Sequence, residues 1–279
     1  MRDIKRRRGS IQSTQQITKA MKLVSTVKLQ RAKQRAETSK SYFDCMYATV
    51  CSVLSKIGES NHPYLKGGTS DKKGVIVITS NRGLAGGYNS NVVKLLKGNS
   101  FQPEDTVIYN IGHKGREAFT RMQYEMALDA SEMIESPTYA DAMALSKRLL
   151  QDFADGKIGE IYLAYTRFKN TVVHEPVMVR LLPVETPEKI ETAHALMNFD
   201  SDEEEALNLI IPKYVTSLIY GGMIEAVASE NGARMQAMDS ATSNAEEMID
   251  KLTLQYNRAR QGAITQELTE IIAGANAIS

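Results

Sequence analysis

The stretch TSNRGLAGGYN, Thr79 to Asn89, is where residue types and spacing in this chain come closest to phosphate chemistry. It follows a short apolar run and precedes a helical pattern, the place where nucleotide-binding sheets carry their phosphate loop. The dinucleotide fingerprint needs glycines at the first, third and sixth positions, whereas Gly83, Gly86 and Gly87 stand at the first, fourth and fifth. No Gly-Lys-Ser or Gly-Lys-Thr closes the loop, so the P-loop pattern fails too. A tight strand-to-helix turn is expected here, with no nucleotide bound by the chain itself. Ser80 lies beside the turn but outside any Gly-x-Ser-x-Gly elbow, so no nucleophile is indicated.

His62, His113, His174 and His194 are far apart, and none has a second His or Cys at ligand spacing, so no metal site is expected. Cys45 and Cys51 are six apart in a helical pattern and match no redox or metal spacing; they read as reduced packing residues. No catalytic residue and no cofactor is expected. The remaining chemistry is charge. Thirty-four basic and thirty-three acidic side chains leave a net +1, which favours no partner class. Their distribution is uneven: from Met1 to Lys40 there are twelve Lys and Arg against two acids, while Asp200 to Glu205 reads DSDEEE. The basic helix could contact nucleic-acid phosphates. Yet Lys19 and Lys22 flank an apolar stripe without an aromatic residue, so no stacking platform accompanies the charge. A solvated face or a contact for an acidic protein surface fits better.

The elements that carry these residues fall into three segments. Residues 1–57 contain no proline, and Ile17, Ala20, Met21, Val24 and Val27 recur at helical spacing. One helix is expected from near Asp3 to Lys56, on the order of 75 Å long at 1.5 Å per residue. Residues 74–198 alternate: a buried strand at Val75 to Thr79, a helix at Asn89 to Leu96, a strand at Thr106 to Ile111, then helices at Lys114 to Arg121 and Tyr139 to Ala154. Strands return at Glu160 to Arg167 and Pro176 to Leu182. This alternation predicts a small Rossmann-like α/β domain with a mostly parallel sheet and an antiparallel edge at the last strand. Residues 205–279 are helical again, with Pro212 in the first turn or at a local kink.

In that last segment Met238, Thr242, Ala245, Ile249, Leu252, Tyr256, Ala259 and Ala263 alternate spacings of four and three, as coiled-coil seams do. A compact middle domain cannot cover so long a stripe, and the N-terminal helix is the other long element. The fold class expected is therefore a long antiparallel coiled coil of the N- and C-terminal helices plus the α/β domain. The N-terminal helix should be shorter by about 25 Å, leaving the end ITQELTEIIAGANAIS to project alone. Such an apolar tip either seats a partner or folds back on itself. No run of about eighteen apolar residues is evident, so no helix is expected to insert directly in a membrane. MRDIKRRRGS lacks the apolar core of a signal sequence.

Both ends of the chain bear a likeness to a known family. ITKAMKLVSTVKLQRAK, Ile17 to Lys33, closely resembles the N-terminal signature of F-type ATP synthase gamma subunits. Ala228 to Ala275 is similar to that family's C-terminal helix almost throughout, and SNRGLAGGYN resembles its glycine-rich turn. The resemblance implies a non-catalytic central-stalk shaft, standing inside a ring of three alpha and three beta subunits. It also implies that the globular domain sits beside the epsilon subunit and the membrane c-ring, and that the shaft couples ion flow to ATP synthesis or hydrolysis.

The same likeness implies that Lys19, Met21 and Lys22 lie near acidic loops of the beta subunits. Arg260, Gln261, Thr265 and Glu267 match positions that touch loops of the ring, and Leu268, Ile271 and Ile272 would lie in its apolar sleeve. Phe199, Asp200 and Asp202 correspond by position alone to a loop that meets the c-ring. The cysteine-bearing insertion of some plastid members is missing, so thiol switching is not expected. The initiating Met and lack of a transit sequence look bacterial, which implies a peripheral place on the cytoplasmic face of the cell membrane. A nucleic-acid-binding coiled coil would instead show salt-dependent affinity for DNA or RNA. A nucleotide-dependent enzyme built on the middle domain would bind ATP or a dinucleotide as the isolated chain.

Overall fold

The computed structural model describes residues 1–57, 61–99, 101–184 and 203–278. They form two units, one of Thr26–Arg234 and one of Met1–Ser25 with Met235–Ser279. Two helices contribute to both: α1, Arg2–Ile57, and the last helix, Glu203–Ile278.

Between these helices the chain runs α2 (Pro63–Lys66), β1 (Lys73–Ile78), α3 (Tyr88–Gly98), β2 (Thr106–Ile111), α4 (His113–Arg121) and β3 (Glu125–Asp129). A 3₁₀ turn over Ser131–Glu135, α5 (Tyr139–Ala154), β4 (Glu160–Phe168) and β5 (His174–Leu182) follow, and the last helix is α6. The sheet order is β3-β2-β1-β4-β5, with β5 antiparallel to β4 and every other pairing parallel. The mostly parallel sheet with its antiparallel edge is thus as the sequence predicts. β3 was not expected, because EMALD is short, half exposed, and follows α4 without a turn signal such as Gly or Pro.

β1 explains how the domain closes. Its KGVIVI run is buried on both faces, as a central parallel strand must be. Val75 and Val77 face Val92 and Leu96 of α3 and Phe119 of α4. Ile76 and Ile78 point the other way, into a core shared with Leu145 and Leu149 of α5 and Leu207, Ile211, Val215 and Ile219 of α6. The four-residue spacing along α6 is the stripe of a core helix. By length and composition alone α6 also contains an 18-residue window apolar enough to cross a membrane, with mean hydropathy 1.2, as a core helix can. Half of that window is buried in protein. Pro212 lies inside α6, and the helix continues through it, with the Thr216 hydroxyl donating to the Pro212 carbonyl at 2.8 Å.

In the smaller unit α1 and α6 pair as a two-helix seam. On α6 the positions read from the sequence, Met238, Thr242, Ala245, Ile249, Leu252, Tyr256, Ala259 and Ala263, are all buried or half-buried, as are Met235, Ala237, Ala241 and Thr253. On α1 the expected helix is present, but most of its apolar stripe does not face the seam. Thr18 and Ser25 are buried in the seam, whereas Ile17 is 60% and Val24 58% exposed, and Val27 is exposed as well. Apolar periodicity gave the right period and the wrong face, because on the α1 side the buried positions of this seam, which has Met238, Ile249 and Leu252 on α6, include the hydroxyl residues Thr18 and Ser25. Thr18 and Thr242 share a 2.8 Å hydrogen bond, and Arg8 lies over the Tyr256 ring. α1 has 56 residues and α6 has 76, so α6 is the longer by about 30 Å of helix.

Candidate functional site

The smaller unit offers two surfaces. Along α1, Ile17, Leu23 and Val24 form an outward apolar row, with Leu23 62% exposed. Lys19 is exposed beside it, while Met21 and Lys22 are half-buried at its flank. Lys22 is engaged within the chain by an ion pair with Asp239 of α6, so Lys19 is the more open of the two cations. Ile17 and Val24, about two turns apart on one line, and Leu23 beside Val24 leave apolar surface uncovered that water disfavours.

The second surface is the end of α6. Ala263 is the last seam position with reduced exposure, and beyond it about fifteen residues, roughly 22 Å, extend without a helical neighbour. Ile264, Leu268, Ile271 and Ile272 are all about half exposed or more, and Arg260, Gln261, Thr265 and Glu267 are exposed. The tip therefore projects and does not fold back. Phe199, Asp200 and Asp202 lie outside the described residues.

The glycine-rich turn belongs to the larger unit, and its interior partners show what it does. Ser80 N–H donates to Asn89 Oδ1 at 2.9 Å, and the Ser80 hydroxyl donates to the Arg82 carbonyl at 2.6 Å. Leu84 at φ 61° and Gly86 at φ 56° take left-handed backbone, which glycine adopts without strain and leucine does not. The Tyr88 hydroxyl donates to the Ala226 carbonyl of α6 at 3.2 Å, and burial pushes this phenol well above its ordinary range.

From α6, the Arg234 guanidinium donates to the carbonyls of Arg82 and Gly83 at 3.3 Å and pairs with Glu230 at 2.7 Å. Burial pushes the Glu230 carboxyl up, against the pull of Arg234. The turn is thus strapped to α6 through its carbonyls. Sequence reasoning missed Arg234 and Glu230. Their i,i+4 spacing of opposite charges was the available signal.

Among the described residues no group of three or more His, Cys, Asp or Glu could hold a metal. Cys45 is exposed, Cys51 is buried, and both are free thiols. Cys51 fits the packing role expected of both, whereas the exposed Cys45 does not. Asp152, buried at the foot of the sheet, accepts from Tyr109, Arg148 and Lys157 at 2.9, 3.0 and 2.7 Å. Burial raises its carboxyl, but these three donors outweigh it and hold the group below the usual carboxylate range.

Comparison with known proteins agrees over the whole length. A family model described as ATP synthase matches residues 1–278. The ATP synthase gamma chain of Lachnoclostridium phytofermentans is 61% identical, over 100% of this chain and 99% of the relative. The sodium ion specific ATP synthase gamma chain of Acetobacterium woodii is 38% identical over 100% and 99%. Among solved structures, a chain of the Euglena gracilis mitochondrial ATP synthase (OSCP/F1/c-ring, rotational state 3) matches with TM-score 0.71 and 18% identity. That match covers 99% of this chain and 94% of the other. A chain of the Tetrahymena thermophila mitochondrial ATP synthase central stalk and c-ring matches with TM-score 0.58 and 22% identity, over 81% and 99%.

Proposed function

Because the chain belongs to the ATP synthase gamma-chain family, we propose that it is the central-stalk shaft of an F-type ATP synthase. It carries torque between ion flow through a membrane c-ring and ATP synthesis or hydrolysis in a ring of alpha and beta subunits. It performs no bond chemistry itself. The observation that supports this best is α6 outrunning α1, with an exposed apolar tip, beside an outward apolar row on α1. Those surfaces have no use in the isolated chain and suit a sleeve of protein around the shaft.

The physical requirement for coupling is that one partner bind several states of another with different free energies. A two-helix seam is not round: one direction presents Ile17 and Val24, another presents the polar outer face of α6. Three equivalent catalytic subunits around such a shaft meet different faces and are held in different conformations. Turning the shaft then exchanges those conformations in order. Lys19 suits an acidic loop on a beta subunit, since complementary charge fixes register more than affinity. Leu268, Ile271 and Ile272 would seat in the ring's apolar bearing, with Arg260, Gln261, Thr265 and Glu267 at its mouth.

At the other end, epsilon and the c-ring are the partners of the α/β unit, with Phe199, Asp200 and Asp202 the contact toward the c-ring. The assembly is then peripheral on the cytoplasmic face of the cell membrane. The test is to capture the tagged chain from its native cells in mild detergent and determine partners, stoichiometry and magnesium-dependent ATPase activity. One copy with three each of two larger nucleotide-binding subunits is expected. Recovery alone or with nucleic acid would sink the reading.

A further inference from the structure

A cleft of about 200 Å³ opens beside the glycine-rich turn in the larger unit. Its floor includes Asn81 and Arg82, which follow β1, and Ile134 to Pro137, which follow β3. That is the carboxyl end of the parallel strands, where open α/β sheets receive their ligands. Its walls come from α1 and α6.

Five cations line the cleft, Lys28, Arg31, Arg35, Arg82 and Arg234, against the two acids Glu135 and Glu230. Arg234 and Glu230 neutralise each other in their 2.7 Å pair. Lys28 also acts electrostatically on the Glu230 carboxylate, while Arg31, Arg35 and Arg82 make no ion pair within 4 Å among the described residues. Lys28, Arg31 and Arg35 stand three and four apart on α1, so they share one face, and the small buried Ala32 between them leaves space in front of their heads. Asn81 adds a polar group oriented by its own bond, its Oδ1 accepting from the His113 N–H at 3.0 Å. Its amide NH₂ has no protein acceptor among the described residues.

We propose that this cleft is a binding site for a small phosphate-class oxyanion, inorganic phosphate or pyrophosphate, held by Arg31, Arg35, Arg82 and Lys28 with the Asn81 amide. Guanidinium groups match phosphate oxygens two at a time, which makes Arg the residue of choice for this task. The volume favours a small ion over a nucleotide: it lies below the ~300 Å³ lower end of ordinary ligand pockets. No aromatic ring lines the cleft on which a base could stack. The site uses side chains next to the turn and does not revive Gly83 to Gly87 as a phosphate loop. Nor does it depend on the shaft reading, since it concerns the isolated chain.

The test is a titration of the purified full chain in low-salt buffer with inorganic phosphate, pyrophosphate, ADP and oligo-glutamate, followed by calorimetry and, for the phosphorus ligands, ³¹P NMR. Saturable binding of phosphate is expected, with pyrophosphate tighter and ADP no tighter than pyrophosphate. Arg31→Ala with Arg35→Ala should weaken it about tenfold or more, as loss of charge-assisted hydrogen bonds does. Arg82→Ala should also weaken it, and Lys97→Ala, at an exposed position of α3, should not. All these side chains are exposed, so unchanged urea midpoints are expected and separate lost binding from lost folding. No saturation with phosphate or pyrophosphate, equal loss in Lys97→Ala, tighter binding of ADP than pyrophosphate, or binding of oligo-glutamate without phosphate would each overturn the proposal.

Discussion

Arg234 shows most about how single residues serve this molecule. It is 9% exposed, holds two turn carbonyls, and neutralises a carboxylate that burial would otherwise leave costly. Arg234→Ala removes one partner of a buried pair and should cost about 3 kcal/mol, read as a lower urea midpoint. Arg234→Lys keeps the charge but not the two-pronged geometry and should fall between. Asp152 makes a pH prediction. Its folded carboxyl lies below the unfolded value of 3.8, so its stabilisation is complete above that value and is lost as pH falls through the folded one. Asp152→Asn should therefore cost about 2 kcal/mol near neutral pH and progressively less in strong acid, when urea midpoints of the two proteins are compared across pH. The 230/234 spacing was legible as a helical pair. Its acceptors lie about 150 residues away, and no local pattern encodes that.

At the scale of elements, α1 separates two uses of apolar surface. Ile17→Ser, Leu23→Ser and Val24→Ser change exposed positions and should each alter stability of the isolated chain by no more than about 0.5 kcal/mol. In the assembly the triple variant should reduce recovery of the larger subunits in a pull-down. Leu252→Ala opens the buried seam and should cost about 2 kcal/mol in urea unfolding of the chain alone. The α6 seam could be read from sequence because its Met, Ile, Leu and Ala positions follow the four-and-three alternation without a competing stripe. α1 carried a stronger apolar stripe than its true seam, so the same rule chose the outward face. Strand β1 was legible from VIVIT, whereas β3 was not, since EMALD is short and only half-buried. The pairing of the turn with α6 was invisible for the reason that hides Arg234: it is a long-range contact through backbone carbonyls.

For the molecule as a whole, the shaft and its tip matter more than any single side chain. Bearing contacts along an exposed apolar tip overlap, so one substitution there should matter little, and loss of the whole overhang should matter more. Deletion from residue 264 onward removes helix that is exposed over 264–274 and should leave the chain folded with an unchanged urea midpoint while lowering the torque its complex delivers. The central claim is that this chain turns inside a ring that hydrolyses ATP. The most direct measurement fixes the captured complex by its ring, attaches a bead through the exposed Cys45, and follows the bead on addition of magnesium ATP. One-directional rotation with three equal pauses per turn is the predicted result, because three equivalent subunits meet the shaft in sequence. A bead that stays fixed relative to the ring while ATP is consumed would contradict the account.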